Sequence, residues 1–449
     1  MLRNLGVGLL AGLCLAGLAQ AGPVSSFMLD NGMQVVVIED HRAPAVVQMV
    51  WYRIGSADEP AGHSGIAHFL EHLMFKATDD MAAGAFSDAV AAQGGRDNAF
   101  TSYDFTAYHQ RVAVDHLGMV MRMEADRMRD LQLTEADVTT ERQVILEERS
   151  QITDSSPGAL LNEQMSAAQF LNHPYGMPVI GWRHEMEALS RTDALEFYRA
   201  NYAPNNAILV VAGDVDPAAV LALAQTYYGP LAPSKLIQPR VRPQEPPQLA
   251  ARRLVLQDDR VSEPYVIRSY LAVERNPGDQ RQAAALVLLA QVLGGSPTTS
   301  VLARGLQFDT QVAVYTAAFF NPTTVDPDTF TVLVMPQPGV SLADAEAALN
   351  AELAKFLTDG IGLDDFTRIK AQIRAEDIYD RDNTQNLAQQ YGTALAVGLT
   401  LEDIAEWPKL LQDVTKDEVM AAARAVLETR TSVTGWLQAP AVIPQGAQP

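Results

Sequence analysis

The chain has 449 residues, of which 48% are apolar, and it carries a formal net charge of −21. This length exceeds what one hydrophobic core usually organises, so we expect two or more domains. The negative charge argues against nucleic acid as a partner, because binding to phosphates needs a basic surface. Cys14 is the only cysteine, so neither an intramolecular disulfide nor a thiolate metal site is expected.

Residues 1–21 have the pattern of a secretory signal peptide. Arg3 provides a positive start, residues 5–18 form an apolar run too short to span a bilayer with margin, and residues 19–21 read Ala-Gln-Ala, a typical cleavage site. The alternative is an N-terminal anchor helix. We expect cleavage after residue 21, a periplasmic or secreted mature protein, and no stable membrane span in the remainder.

Strands are expected at residues 33–39 and 45–54, because both stretches are rich in valine and a turn pattern separates them. A helix follows from Gly65, since the next residues have one apolar side and no proline. A further helix is predicted over residues 80–93, strands over residues 98–112, and an amphipathic helix over residues 113–129. The methionines of this last helix are expected to pack in the core: Met119, Met121, Met123 and Met128.

The first predicted helix carries the pattern His68-x-x-Glu71-His72. Residues one turn apart on a helix point the same way, so both imidazoles and the Glu71 carboxylate reach one patch. Two imidazoles with a carboxylate beside them suit a zinc ion that still needs a third ligand and a water. The alternative is a polar helix face with two ordinary histidines, because so short a pattern also arises by chance.

A glutamate-rich helix is predicted farther along the chain, with Thr134 as its N-cap and Asp137 completing a variant of the capping box. Glu141 and Glu148 are two turns apart and share a face, whereas Glu147 points about 100° away from Glu148. A glutamate-rich helix is usually a solvated surface, so its composition alone does not identify a metal ligand.

The order H-x-x-E-H followed by Glu-Arg-x-Val-Ile-x-x-Glu resembles the inverzincin peptidases pitrilysin, insulysin and mitochondrial processing peptidase. The second part of the resemblance is carried by Glu141, Arg142, Val144, Ile145 and Glu148. The resemblance implies that His68, His72 and Glu148 are the ligands of a catalytic Zn²⁺. It also implies that Glu71 acts as the general base and that Glu141 supports the ligands from a position close to them.

Other segments are similar to the same family. Residues 94–102 resemble the segment whose Asn-Ala pair lies on the strand that holds the peptide substrate, and residues 173–181 and 202–206 also match. The resemblance implies that Asn98 and Ala99 fix the peptide backbone as an added strand. Phe100 is expected either to line a side-chain pocket or to be an ordinary core aromatic.

The second half of the chain is expected to repeat the plan of the first. A buried strand at 207–214 and a helix at 216–228 are followed by residues 229–250, whose six prolines predict an extended linker. Residues 281–293 predict a helix without histidine or acidic residues, so we expect no metal site in the second half. The other elements expected there are strands at 264–273, 312–320 and 330–335 and helices at 342–359, 364–375, 387–397 and 416–427.

The predicted fold class is α+β, with two similar domains, each a mostly antiparallel sheet covered by helices. Residues 22–228 would form a zinc peptidase domain and residues 251–438 a non-metal domain of similar fold, joined by the proline-rich linker at 229–250. Residues 439–449 are expected to be a loose tail, because they are rich in proline, alanine and glutamine.

Residues 300–308 depart from the family pattern. In that family, active one-chain members and certain partner subunits carry a stretch that resembles Leu-Arg-x-x-x-x-Leu-Gly-Tyr. The arginine and tyrosine of this stretch help to bind substrate. Here Val301 stands in place of the arginine and Phe308 in place of the tyrosine, and Arg304 is either a shifted substitute or a surface residue. We expect the missing pair to come from a related subunit without H-x-x-E-H, or from a second copy of this chain.

Three classes of function compete. The first is a zinc-dependent endopeptidase that hydrolyses peptides or unfolded polypeptide segments. The second is a non-cleaving subunit that binds peptide or scaffolds a complex, and the third is a structural or storage zinc protein. The complete ligand set together with Glu71 favours the first class over the second, and a structural site would need a fourth protein ligand that the sequence does not offer.

Overall fold

Two β-sheets organise residues 24–440, which are the residues that the computed structural model of this protein describes. The predicted signal peptide at 1–21 and most of the predicted tail at 439–449 lie outside the described residues. No helix in the described range is both long and apolar enough to cross a membrane.

The first sheet has six strands in the order β1-β2-β6-β3-β5-β4. β2 and β6 run parallel, and all other neighbours are antiparallel. β6 is buried along its whole length, whereas β4 lies at an edge and pairs only with β5. The strands are β1 Val24–Met28, β2 Gln34–Glu39, β3 Ala45–Tyr52, β4 Arg96–Thr101, β5 Thr106–Ala113 and β6 Ala207–Gly213.

The second sheet repeats the first sheet, but it has no counterpart of strand β1 among the described residues. Its order is β7-β11-β8-β10-β9, where β7 and β11 run parallel and the other neighbours are antiparallel. This is the same order and direction of pairing as β2-β6-β3-β5-β4, so the predicted repeat of the fold and the α+β class are confirmed. The strands are β7 Arg252–Gln257, β8 Tyr265–Ala272, β9 Ala313–Phe320, β10 Asp328–Pro336 and β11 Ser432–Gln438.

Helices cover both sheets. In the first half they are α1 Ile66–Leu73, α2 Ala85–Ala92, α3 Leu117–Arg129, α4 Glu135–Arg149, α5 Pro157–Gln169, α6 Arg183–Met186, α7 Arg191–Asn201 and α8 Pro217–Tyr227. In the second half they are α9 Arg281–Gly294, α10 Leu342–Asp359, α11 Leu363–Asp380, α12 Thr384–Ala396, α13 Leu401–Asp413 and α14 Lys416–Val426. The methionines predicted to be core residues pack in the core of the first half, Met119 at its margin and the other three fully buried.

The two halves exchange helices. α12 from the second half packs on the outer face of the first sheet, where Gly392 lies against the indole of Trp51 so closely that a Cβ would overlap it. α5 from the first half packs on the second sheet, where Leu161 and Met165 join a buried cluster with Val433. β6 and β11, which receive these helices, occupy equivalent positions in the two sheets.

Several boundaries differ from the prediction. The helix expected over residues 80–93 begins only at Ala85, because Gly84 adopts a left-handed conformation (φ +79°) that a continuous helix excludes. The helix expected at residues 364–375 continues to Asp380. The strands β1, β7 and β11 and the helix α13 were not predicted.

The linker at residues 229–250 contains no helix or strand, as its prolines predict. It is nevertheless firmly attached to both halves. The buried guanidinium of Arg242 lies 2.9 Å from Asp58, 2.6 Å from Asp104 and 2.9 Å from Asp326 of the second half. Since a buried charge must be paired to be tolerated, these contacts fix the course of the linker.

Candidate metal centre

Backbone contacts fix the start of α1. Gly65 is left-handed (φ +87°), and a Cβ at this position would lie 2.5 Å from the carbonyl oxygen of Ile180, so the position requires glycine. The half-buried Glu59 carboxylate accepts hydrogen bonds from the backbone N–H groups of Gly65 and Ala67, both at 2.8 Å. These bonds satisfy donors that the first turn of a helix leaves unpaired.

Three of the predicted residues come together between α1 and α4. The Nε2 atoms of His68 and His72 lie 3.6 Å and 3.3 Å from Oε2 of Glu148. Donor atoms about 2.1 Å from one tetrahedral zinc ion would be about 3.4 Å apart, so this spacing fits such an ion. Within residues 24–440 this is the only group of three potential ligand residues whose donor atoms all lie within 4.8 Å of one another.

The surroundings of the two imidazoles suit a metal. Burial, with a smaller effect from His72, lowers the pKa of His68 to about 3, so this imidazole is neutral, as a ligand must be. Oε2 of Glu141 lies 3.4 Å from Nδ1 of His72, and Nζ of Lys76 lies 2.5 Å from Oε1 of Glu141. Glu141 thus occupies the outer side of the His72 ring and leaves Nε2 turned towards Glu148.

Glu71 lies beside this group without belonging to it. Its carboxylate accepts a hydrogen bond of 2.5 Å from the hydroxyl of Thr101, and burial raises the pKa of Glu71 to about 7. Glu147, by contrast, is exposed and accepts a hydrogen bond from Gln151, so it faces away from the two histidines as its helical position predicts.

A cavity of about 510 Å³ opens in front of this group, and His68, Glu71 and Glu148 form part of its wall. Ala99 and Phe100 of β4 also line it, while Asn98 is exposed on the same edge strand and does not. The Phe100 ring also packs edge-on against the buried Trp51, at 5.4 Å between centroids.

Sequence reasoning missed several residues of this cavity. Thr101 could have been found, because it follows Ala99 by two residues and so faces the same side of the strand. The others come from loops and helices whose approach the sequence does not indicate. They include Tyr103, Ile152, Pro178, Val179 and Ile180.

The segment that departs from the family pattern offers no replacement for the missing arginine and tyrosine. Arg304 is exposed at the surface and pairs with Asp365 at 2.7 Å, which favours the surface alternative. The Phe308 ring is 53% exposed and has no hydroxyl to donate. In α9, which follows β8 as α1 follows β3, apolar side chains are buried. The group of potential metal ligands found among the described residues includes no residue of α9.

Comparison with known sequences gives consistent matches. The family model described as Insulinase (Peptidase family M16) matches residues 34–182, and the one described as Peptidase M16 inactive domain matches residues 188–373. The zinc protease PqqE of Helicobacter pylori is 28% identical over 418 residues, which cover 92% of this chain and 92% of that protein. An uncharacterised zinc protease of Mycobacterium leprae is 30% identical over 427 residues, covering 92% of this chain and 91% of that protein.

Solved structures share the fold. A protease from Helicobacter pylori superimposes with a TM-score of 0.85 at 27% identity and covers 92% of this chain and 99% of that one. The periplasmic protease PqqL from Escherichia coli has a TM-score of 0.80 at 20% identity, and the match covers 94% of this chain but 48% of that one. With the match to the Mycobacterium leprae relative over most of both chains, these findings show that the chain belongs to peptidase family M16, the insulinase family.

Proposed function

We propose that this protein is a zinc-dependent endopeptidase that hydrolyses peptides or unfolded polypeptide segments. The proposal rests on one observation: donor atoms of His68, His72 and Glu148 lie close enough together to bind a single ion. Glu71 lies beside them and lines the same cavity. Two imidazoles and one carboxylate are a donor set suited to zinc, and three protein ligands leave a position open for chemistry. When bound, zinc would lower the pKa of a water molecule and polarise the scissile carbonyl group.

Glu71 is the proposed general base. It would accept a proton from the attacking water and deliver it to the nitrogen of the leaving amine, so the carboxylate is restored at the end of the reaction. Its burial supports this role, since a carboxyl whose pKa is raised to about 7 takes up and releases a proton readily near neutral pH. The hydrogen bond from Thr101 holds one of its oxygens and leaves the other free.

The edge of β4 is the proposed binding site for the peptide backbone. β4 pairs with β5 on one side only, so an extended peptide can add to its other side through main-chain hydrogen bonds. Asn98, Ala99 and Phe100 lie on this strand, and the last two line the cavity beside Glu71. Backbone recognition of this kind gives affinity with little dependence on the peptide sequence.

We propose further that a second subunit supplies the arginine and tyrosine that this chain lacks. Arg304 is engaged with Asp365 and Phe308 carries no hydroxyl, so neither offers the missing groups. The PqqL structure is about twice the length that this chain matches, which leaves room there for a second unit of similar size. The subunit would be a related chain without the zinc ligands, or a second copy of this one.

The location and domain division follow the sequence pattern. We propose a periplasmic or secreted protein whose residues 22–228 hold the metal and whose residues 251–438 form the non-metal domain. The apolar run at residues 5–18 supports export, and the structural relative PqqL is a periplasmic protease. Co-purification from the native host tests the assembly. Full activity of this chain alone, unaffected by substitution of Arg304 or Phe308, would refute the two-subunit proposal.

The competing function is a subunit that binds peptide or scaffolds a complex without cleaving it. Removal of zinc by a chelator and its restoration separate the two. We expect hydrolysis of an unfolded protein to stop on chelation and to return with one equivalent of zinc per chain. Glu148→Gln should lower zinc affinity and activity together, while the matched variant Glu147→Gln should change neither. Hydrolysis that survives complete removal of the metal would refute the peptidase mechanism.

A further inference from the structure

A second cavity, separate from the metal centre, lies between the first half of the chain and the linker. Its volume is about 760 Å³. Its wall is built from the residues after β3, from residues 170–177 and from linker residues 236–243; we call it the linker cleft. The established family membership and the proposed chemistry leave this cavity without a role.

Arg53 contributes a positively charged side chain to the wall of the linker cleft. Its side chain is mostly buried, and its Nη2 atom donates to Oε1 of Gln34 at 3.3 Å. Among the residues described by the structure, no carboxylate forms an ion pair with it. Burial, and then the neighbouring guanidinium of Arg240, lower the pKa of Arg53. A half-buried cation beside a second cation favours binding of an anion.

The other charges of the linker cleft are already engaged. Arg240 lies 3.0 Å from Asp58, which also pairs with Arg242 at 2.9 Å. Glu59 is occupied by the backbone N–H groups at the start of α1. These contacts hold the wall in place, and Arg53 is the guanidinium of the wall that pairs with no carboxylate among the described residues.

The rest of the wall mixes polar side chains, among them Asn172, Asn201 and Gln238, with apolar ones. Phe170 is buried and Trp182 and Ile237 are half-buried, whereas Leu171 and Leu236 are 60% and 62% exposed. An exposed apolar surface next to one unpaired guanidinium suits a ligand that combines a single carboxylate with an apolar group. The C-terminal residue of a peptide with an apolar side chain has this combination.

The linker cleft and the cavity at the proposed metal centre are both lined by residues of helix α5. Ser166 of α5 lines the cavity at the metal centre, and the next residue, Ala167, lines the linker cleft. Asn162, which also faces the metal centre, is about 7.5 Å from Ala167 along the helix axis. The two cavities therefore border the same stretch of α5.

We propose that the linker cleft binds the C-terminal carboxylate of a peptide substrate or product, with Arg53 as its anion-binding residue and the apolar wall receiving the last side chain. The assignment rests on the proposed peptidase function for the identity of the ligand. It adds a preference for a free C-terminus, which the β4 edge does not provide, because backbone pairing does not distinguish one end of a peptide from its middle.

Binding of two matched peptides tests this proposal. The probes are a fluorescein-labelled ten-residue peptide ending in leucine with a free carboxylate and the same peptide as its C-terminal amide. The protein carries Glu71→Gln to prevent cleavage and is studied with any subunit that accompanies it. We expect the acid to bind at least 10-fold more tightly than the amide. Adding Arg53→Gln should remove this difference and leave the amide unchanged, and Arg199→Gln, at an exposed arginine outside the cleft, should preserve it.

A second variant keeps the proposal testable if the Arg53→Gln protein does not fold. Leu236→Glu places a carboxylate at an exposed position of the cleft wall and should weaken binding of the acid selectively. Equal binding of acid and amide, or a preference that survives both substitutions, would overturn the proposal. Hydrolysis by the wild-type protein is measured separately. An active peptidase without acid preference would refute only the cleft, whereas an acid preference without hydrolysis would refute only the peptidase function.

Discussion

Thr101 donates its hydroxyl hydrogen to Oε2 of Glu71 across 2.5 Å. Thr101 is the last residue of β4, the edge strand proposed to hold the peptide, and Glu71 lies on α1 between the two histidines. This bond therefore joins the substrate-binding strand to the proposed base. A carboxylate held through one oxygen presents the other in a fixed direction, which is the positioning that proton transfer requires.

Replacing Thr101 by valine should lower kcat roughly 10-fold or more, because a hydrogen bond to a charged group is lost while the shape of the side chain is kept. KM and zinc content should change little, since the Thr101 hydroxyl donates to Glu71 and not to a proposed ligand. Thr101→Ser should retain most of kcat because it keeps the hydroxyl. Steady-state kinetics with metal analysis checks this, and a valine variant with wild-type kcat would exclude the positioning role.

Removal of the charge of Glu141 should weaken zinc binding about 10-fold, because Glu141 faces Nδ1 of His72 and orients that ring. Competition with a chelator of known affinity gives the dissociation constant for Glu141→Gln. Glu147→Gln is the matched control, since Glu147 lies on the same helix and is exposed. Equal zinc affinities of the two variants would show that Glu141 has no part in holding the ligand.

Two glycines allow a controlled test of how α1 is positioned. Gly65 and Gly84 both have positive φ, +87° and +79°, and both precede a helix. An alanine Cβ at Gly65 would lie 2.5 Å from the carbonyl oxygen of Ile180, whereas nothing lies within 4 Å of one at Gly84. Gly84→Ala should cost about 1 kcal/mol in unfolding free energy from backbone strain alone.

Gly65→Ala should cost on the order of 2–3 kcal/mol, because strain and steric overlap act together. It should also reduce zinc affinity, since α1 carries both histidines. Urea unfolding of the two variants and the wild type measures the difference. Equal destabilisation would mean that the close contact with Ile180 does not constrain the helix.

Asp328, the first residue of β10, should make stability depend on pH. Burial raises its pKa to about 6, from an ordinary value of 3.8. A carboxyl whose pKa is higher in the folded state contributes stability that is complete below pH 4 and is lost as the pH rises through 6. Asp328→Asn should therefore resemble the wild type at pH 4 and exceed it by about 1–2 kcal/mol at pH 7.5.

The unfolding free energies of this variant and the wild type at both values of pH check the prediction. Asp259→Asn, at an exposed turn position, serves as the control and should show no such change. A constant difference between Asp328→Asn and the wild type across this range would show that Asp328 titrates normally in the folded protein.

The helices that carry the proposed metal ligands were predictable because they depend on local periodicity. The 3.6-residue repeat places His68 and His72 on one face of α1, and the Thr134–Asp137 capping box begins α4 as the sequence indicates. That Glu148 approaches these histidines required a resemblance to known peptidases, because a contact between distant segments leaves no periodic signal in one sequence.

The exchange of helices between the halves could not be predicted. α5 and α12 each have an apolar side, but the pattern does not say which sheet covers it. The parallel pairing of β7 with β11 joins strands at opposite ends of the second half, and neither strand was predicted. The burial of Arg242 in a proline-rich linker could not be predicted either. It depends on Asp58 and Asp104 of the first half and on Asp326 of the second half.

The central claim is that Glu71 activates a water at a zinc ion held by His68, His72 and Glu148. Hydrolysis of an unfolded protein by the Glu71→Gln variant, with zinc content determined on the same sample, tests it most directly. The account predicts one zinc per chain in both wild type and variant, and a rate at least about 100-fold lower in the variant. A zinc-loaded Glu71→Gln variant that cleaves at the wild-type rate would contradict it.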